Sequence, residues 1–162
     1  FMSGIVSSRK KAKSRISENL VNQKGLDRLV ELIVAQGGNP SVLDHSELLP
    51  QPKAKIEVKS KTSGYVSGLD ALEVGLVSKI LGAGRTKKDD IIDYSAGIYL
   101  KKKIGDKVKV GDPLAVFYSD GDEEKIGPAR KKLLAAYAFS SNKIDPPKLI
   151  HARVSRDGVQ EM

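Results

Sequence analysis

Lys103–Leu114 reads KIGDKVKVGDPL, and its reading decides the fold. Gly105-Asp106 is a tight turn. Val108 and Val110 then alternate with lysines, and Gly111-Asp112-Pro113 makes a second turn before a strand over Leu114–Tyr118. Upstream, Ile98-Tyr99-Leu100 begins another strand. Downstream, Asp122 or Glu123 opens a helix to about Ala138, with Ile126, Leu133, Leu134 and Tyr137 inward. Pro128 is tolerated near its start, where helix positions need no intrahelical N–H donor. Pro146-Pro147 breaks the chain before a last strand, Leu149–Val154, and the polar tail 155–162 is expected to fray.

Toward the N-terminus the pattern stays mixed. Lys53–Leu69 alternates through Ile56, Val58, Tyr65 and Val66, which predicts two strands joined by a Thr62-Ser63-Gly64 turn. Asp70 caps a helix over Ala71–Leu81, in which Leu72, Leu76 and Ile80 share a face. Gly82-Ala83-Gly84 ends it and a polar loop, Arg85-Thr86-Lys87-Lys88-Asp89-Asp90, follows. Ser63-Gly64-Tyr65-Val66 and Gly105-Asp106-Lys107-Val108 form a weak repeat, each setting a turn before a valine strand, as two related β-halves would. Residues 39–53 contain Pro40, Pro50 and Pro52 and read as a connector. Before it stand a polar helix over 8–20, with Ala12, Ile16 and Leu20 spaced by four, and a stronger one over 24–36. In the second, Leu26, Leu29, Val30, Ile33 and Val34 share a face, and Gly37-Gly38 ends it. The expected divisions are 1–38, 39–53, 54–154 and 155–162, in an α+β chain.

The 162 residues contain 40% hydrophobic and 30% charged residues, a folded composition. With no tryptophan and 5% aromatics, the core must be aliphatic. The absence of cysteine excludes disulfides, thiolate metal sites and a cysteine nucleophile. No apolar run approaches the ~20 residues of a membrane helix, and Ile5-Val6 is followed at once by serines and basic residues, unlike a signal peptide. A cytoplasmic location is expected. Phe1 in place of methionine suggests a piece of a longer product. The net charge is +8, and residues 1–28 hold seven basic against two acidic side chains, five of that excess. The Arg9–Arg15 cluster lacks the interleaved aromatics of a nucleic-acid site and reads as a solvated helix face.

Leu81–Gly97, LGAGRTKKDDIIDYSAG, is the most specific stretch. Gly82 and Gly84 can expose backbone N–H groups, and Arg85, Lys87 and Lys88 add fixed positive charge, so the loop could touch an anion. Its spacing is not that of a P-loop. The plainer reading is a helix cap followed by a solvated charged turn, in which Asp89, Asp90 and Asp93 balance the basic residues. His45 and His151 lack ligand-spaced partners, so no metal or other cofactor is expected.

In order, Ala35-Gln36-Gly37-Gly38-Asn39, Ser63–Val66, Leu81–Arg85 with Lys87–Asp93, Ala96–Leu100, Lys103–Leu114 and Pro147-x-Leu149-Ile150 resemble the pyrimidine-nucleoside phosphorylase family, across residues 5–152. The resemblance implies a C-terminal α/β hammerhead containing a barrel-sandwich β hybrid similar to biotinyl and lipoyl domains. The opening helices would be the last elements of preceding α-helical and α/β regions. It also implies exchange of phosphate for the base of a pyrimidine nucleoside, by a homodimer. The family's phosphate site, a Lys-x-Ser-x-Gly-Gly segment, and its base site lie upstream of the matched region, and no such glycine-rich segment occurs in this chain. No catalytic residue is therefore assigned, the missing N-terminal portion is the expected partner, and the chain alone is expected to be inactive. On this resemblance the Gly82–Lys88 loop would close a cleft and exclude water. The alternative is a carrier domain, which needs a modifiable lysine at a hairpin tip. Lys61 is the nearest candidate, and neither Met2 nor Met162 flanks a lysine. A nucleic-acid module rests on charge alone.

Overall fold

The computed structural model describes residues 3–85, 87–156 and 158–161. The chain forms two compact units, one of residues 49–149 and the other of 1–48 with 150–162.

In the larger unit every strand pairing is antiparallel. β1 (Ala54–Lys59), β5 (Pro113–Ser119) and β3 (Gly97–Leu100) make one sheet in the order β1-β5-β3. β4 (Lys107–Val108), β2 (Gly64–Leu69) and β6 (Tyr137–Ser140) make a second, ordered β4-β2-β6. Two helices join them, α3 (Ala71–Ser78) and α4 (Glu123–Ala136). The class is α+β, as the residue pattern predicts.

Alternation places the core. In β1, Ile56 and Val58 face inward, opposite Phe117 and Ala115 of β5. Val66 and Val108 enter from the second sheet, and Val77, Leu81, Ala129 and Leu133 from the helices. Phe117 is fully buried, and its truncation to alanine would cost about 3–5 kcal/mol. The buried polar side chains are satisfied locally. Ser60 Oγ donates to the Thr62 carbonyl at 2.7 Å, and Ser119 Oγ accepts from Gly121 N–H at 3.2 Å.

The deciding stretch folds as two copies of one turn. Lys103-Ile104-Gly105-Asp106 and Lys109-Val110-Gly111-Asp112 each close when the aspartate N–H donates to the lysine carbonyl, at 3.0 Å in both. Each aspartate Oδ2 accepts back from the lysine N–H, at 2.7 and 3.0 Å. Each glycine stands at positive φ, +97° and +91°. The turns then clip equivalent residues. Gly105 N–H and the Asp106 carbonyl bond Val66, and Gly111 N–H and the Asp112 carbonyl bond Ser60, all at 2.8–2.9 Å. The two segments of the weak repeat lie against each other, with Gly64 and Tyr65 opposite Val108 and Lys107.

Several expectations require correction. β1 and β2 are not a hairpin. A register shift after Val58, and the clip of Ser60 onto the second turn, take the chain out of the first sheet. Val110 lies in that turn, exposed, and not in a strand. Along α3 and the turn that follows it, Val77 and Leu81 are buried, with Val74 and Ile80 packed against the core, while Leu72 is exposed. The helix is apolar on several sides, so spacing alone selects no face. α4 ends at Ala136, and Tyr137–Ser140 turns into β6 because β2 offers it a ladder, Leu69 to Tyr137 and Val66 to Phe139. Pro128 is the sixth residue of α4, past the turn whose N–H groups are free. It is tolerated there because Gly127 before it has no Cβ to meet the proline ring.

In the smaller unit, α1 (Arg9–Val21) begins at Ser8, whose hydroxyl accepts from Lys11 N–H. α2 (Lys24–Ala35) ends as predicted: Gly37 takes φ +76° and Gly38 N–H reaches the Ile33 carbonyl at 2.8 Å. The last strand is displaced from its expected place. Leu149 and Ile150 are exposed outside any strand, and β7 (Ala152–Ser155) pairs with β8 (Gly158–Glu161) in the segment expected to fray. The larger unit ends at Leu149, short of Val154.

Candidate functional site

The anion-contact loop grows out of α3. Asp70 caps that helix, its carboxylate accepting from Glu73 N–H at 3.1 Å, and Leu81 anchors the far end in the core. Between them the last turn, Lys79–Ala83, is widened, and Gly82 leaves helical geometry at φ +112°. The Gly82 carbonyl accepts from Asp93 N–H at 3.0 Å. A Cβ at Gly82 would meet those of Asp93 and Ala96 at 3.4 and 3.7 Å. Gly82 is therefore both a helix cap and the floor beneath the returning chain. Gly84 is extended, with Lys79 Cγ 3.3 Å from where its Cβ would be.

Beyond the glycines the side chains turn outward. Arg85, Lys87 and Lys88 are exposed, and none of the ion pairs among the described residues involves them. Thr86 lies outside the described residues. Lys87 N–H donates to Asp90 Oδ2 at 2.7 Å and Asp90 N–H to the Lys87 carbonyl at 3.2 Å, a third use of the Lys-x-x-Asp turn. Asp93 Oδ1 accepts from Ser95 N–H at 2.8 Å and from Ser95 Oγ at 2.6 Å. These bonds, the hydroxyl first, hold its carboxyl below the usual carboxylate range. Asp90 and Asp93 thus brace separate turns and are not a paired acid and base. The loop can present three cations on a braced frame.

Other sequence candidates lie apart. His45 contacts Glu47 at 3.0 Å on the surface, and among the described residues no group of three or more His, Asp or Glu side chains could hold a metal. Lys61 is exposed in the passage between two sheets, not at a hairpin tip. No described helix is long and apolar enough to cross a membrane. The sequence places Tyr137 inward, as found, but does not reveal the role of its buried hydroxyl, which donates toward the carbonyls of Lys102 at 2.9 Å and Leu114 at 3.3 Å, tying β6 to the deciding stretch. Burial pushes that hydroxyl up to about 12. The spacing of three in 87/90, 103/106 and 109/112 was the legible signal for the braced turns.

Residues 65–140 match the family model for the pyrimidine nucleoside phosphorylase C-terminal domain. The match opens and closes on Tyr65 and Ser140, which face each other across β2 and β6. The chain is 36% identical over 146 residues to a pyrimidine-nucleoside phosphorylase of Bacillus subtilis (strain 168), covering 89% of this chain and 33% of the relative. It is 39% identical over 140 residues to one of Staphylococcus aureus (strain USA300), covering 86% of this chain and 32% of that protein. The chain belongs to the pyrimidine-nucleoside phosphorylase family. Within that family it corresponds to the C-terminal portion, spanning about a third of the length of the curated relatives it matches. Phosphorylase relatives across most of the chain do not favour the carrier-domain alternative.

Proposed function

We propose that the chain is the C-terminal part of an enzyme that exchanges phosphate for the base of a pyrimidine nucleoside, giving free base and pentose 1-phosphate. The observation behind this reading is the match of nearly nine-tenths of the chain to phosphorylases three times its length. The residues that bind phosphate and base lie, on this reading, in polypeptide preceding these 162 residues, because no Lys-x-Ser-x-Gly-Gly segment occurs among them. The two antiparallel sheets with crossing helices support an α/β hammerhead holding a barrel-sandwich hybrid. A homodimeric, cytoplasmic whole enzyme belongs to the same reading. The purified chain should leave thymidine and uridine intact in phosphate buffer, followed by chromatography of the free base. Breakdown of either by the chain alone would overturn the assignment.

Within that enzyme, the loop from Gly82 to Lys88 closes over the cleft and offers Arg85, Lys87 and Lys88 to the phosphate side. Their exposure and the braced frame beneath them support this role. In a complete enzyme bearing this C-terminal part, Arg85→Glu should raise the phosphate KM about tenfold, the loss of one charged hydrogen bond. Unchanged kcat and phosphate KM would leave the loop only its capping role.

A further inference from the structure

The first sheet buries one face and leaves the other uncovered. Alternation turns Ile56, Val58, Phe117 and Ile98 to the core and sets Lys55, Glu57, Tyr99, Val116 and Tyr118 on the far side. Tyr99, in the middle of β3, is 60% exposed, and Tyr118 on β5 is half-buried. They are diagonal neighbours, since Tyr99 lies opposite Val116, and such pairs stand roughly 7–8 Å apart. Lys55 Nζ lies 5.7 Å from the centre of the Tyr118 ring. On the other side of Tyr118 the register places Gly97, where a Cβ would meet nothing within 4 Å. Tyr99 also borders a groove of about 500 Å³ lined by Lys101, Lys102, Asp112 and Pro113. Lys55, Lys59 and Lys101 are exposed here against one carboxylate, Glu57, which Lys101 pairs at 3.1 Å. The groove's acid, Asp112, accepts from Lys109 N–H within its own turn.

Accessible rings on a sheet, interleaved with lysines, suit planar bases joined by phosphates. Every base has a π-face that stacks on a tyrosine, and each phosphate complements a lysine. A lipid surface would instead need aliphatic side chains to insert, and of the outward five only Val116 is aliphatic. The Arg9–Arg15 cluster has charge without aromatics, whereas this face has both. We propose that the outward face of the β1-β5-β3 sheet binds single-stranded nucleic acid. Tyr99 and Tyr118 each carry a stacked base, and Lys55, Lys59 and Lys101 hold the phosphates between and beside them. Such binding needs neither nucleoside cleavage nor the polypeptide that precedes this chain in its relatives.

The test follows fluorescence anisotropy of a short labelled oligoadenylate RNA mixed with the 162-residue chain at low salt. A purine sequence keeps any pyrimidine-nucleoside site out of the measurement. Saturable binding that weakens with salt is expected. Tyr99→Ala should weaken it about tenfold, the loss of one stacked base, and Tyr99→Phe should retain it. Neither should shift the urea midpoint, because the ring is exposed. Lys55→Gln with Lys59→Gln should make the salt dependence shallower, by about 0.7 in logarithmic slope per lysine. If Tyr99→Ala does shift the midpoint, that slope decides. Lys10→Gln with Lys13→Gln, on α1, should leave the RNA bound. The proposal falls if the unaltered chain does not bind at low salt, or if Tyr99→Ala binds as tightly as the unaltered chain, since charge alone would then be at work. It also falls if Tyr99→Phe loses as much as Tyr99→Ala, if the Lys55 and Lys59 pair leaves the slope unchanged, or if the α1 pair abolishes binding. Displacement by adenosine monophosphate as effective, per nucleotide, as by unlabelled oligoadenylate would make a free nucleotide the ligand and overturn it as well.

Discussion

Gly105 and Gly111 occupy equivalent places in successive turns, at φ +97° and +91°, yet their surroundings differ. A Cβ at Gly105 would lie 3.0–3.1 Å from Pro146, whereas one at Gly111 would meet nothing within 4 Å. Gly111→Ala should therefore cost only the conformational strain, about 1–2 kcal/mol. Gly105→Ala should cost clearly more, because the rigid proline ring must also move. Urea unfolding of the two variants side by side checks this, and equal losses would mean that the Pro146 contact is unimportant. Tyr137 supplies a second prediction. Its hydroxyl holds its proton to about 12 in the fold against 10.0 in the unfolded chain. The stabilisation is thus complete below pH 10 and disappears as pH rises toward 12, on the order of 2 kcal/mol in all. Tyr137→Phe should flatten that part of the stability profile, after subtracting the lysine titration that both proteins share. A parallel fall in both would remove Tyr137 as the cause. The glycine turns were visible in the sequence because only glycine takes such φ cheaply. The burial of Tyr137 was visible too, but the role of its hydroxyl was not, because its partners are backbone carbonyls 23 and 35 residues away.

At the scale of elements, caps were easy to find and partners were not. Asp70 and Asp122 read directly as helix starts, and each carboxylate accepts from a backbone N–H in the first turn. Asp70→Ala should destabilise the larger unit by about 1 kcal/mol, measured by chemical denaturation, and no change would show that α3 is held by packing alone. The ion pair between Lys132 and Glu73 links α4 to α3, but both side chains are about one-third exposed. Its removal by Lys132→Met should cost less than 1 kcal/mol. Strand pairing needed long-range information. β1 and β2 sit next to each other in sequence and have the alternation of a hairpin, yet each finds its ladder elsewhere. β6 continues the helical spacing of α4 in sequence and becomes a strand only because β2 has an open edge. The charged loop after α3 was located correctly by its composition. That Gly82 and Asp93 would be spent on bracing it could not be read from composition, since that depends on the returning chain.

Across the whole molecule, the buried hydrophobic side chains among the described residues all fall between Val58 and Tyr137, inside the 49–149 unit. The motifs that mark the family fall largely in the same span, which is why fold class and family were legible together. α1 and α2 contribute no buried residue, so their apolar spacing identified helices without revealing what they pack against. Cooperative unfolding requires a shared core, and here one unit holds it. A fragment of residues 49–149 should therefore unfold in urea as a single transition, with a midpoint indistinguishable from that of the 162-residue chain. Its denaturant slope should be equal or slightly smaller, because the residues removed bury little surface. Helical circular dichroism should fall by the share of α1 and α2 alone. A fragment that melts gradually, or whose midpoint drops, would mean that the helical segment stabilises the β core.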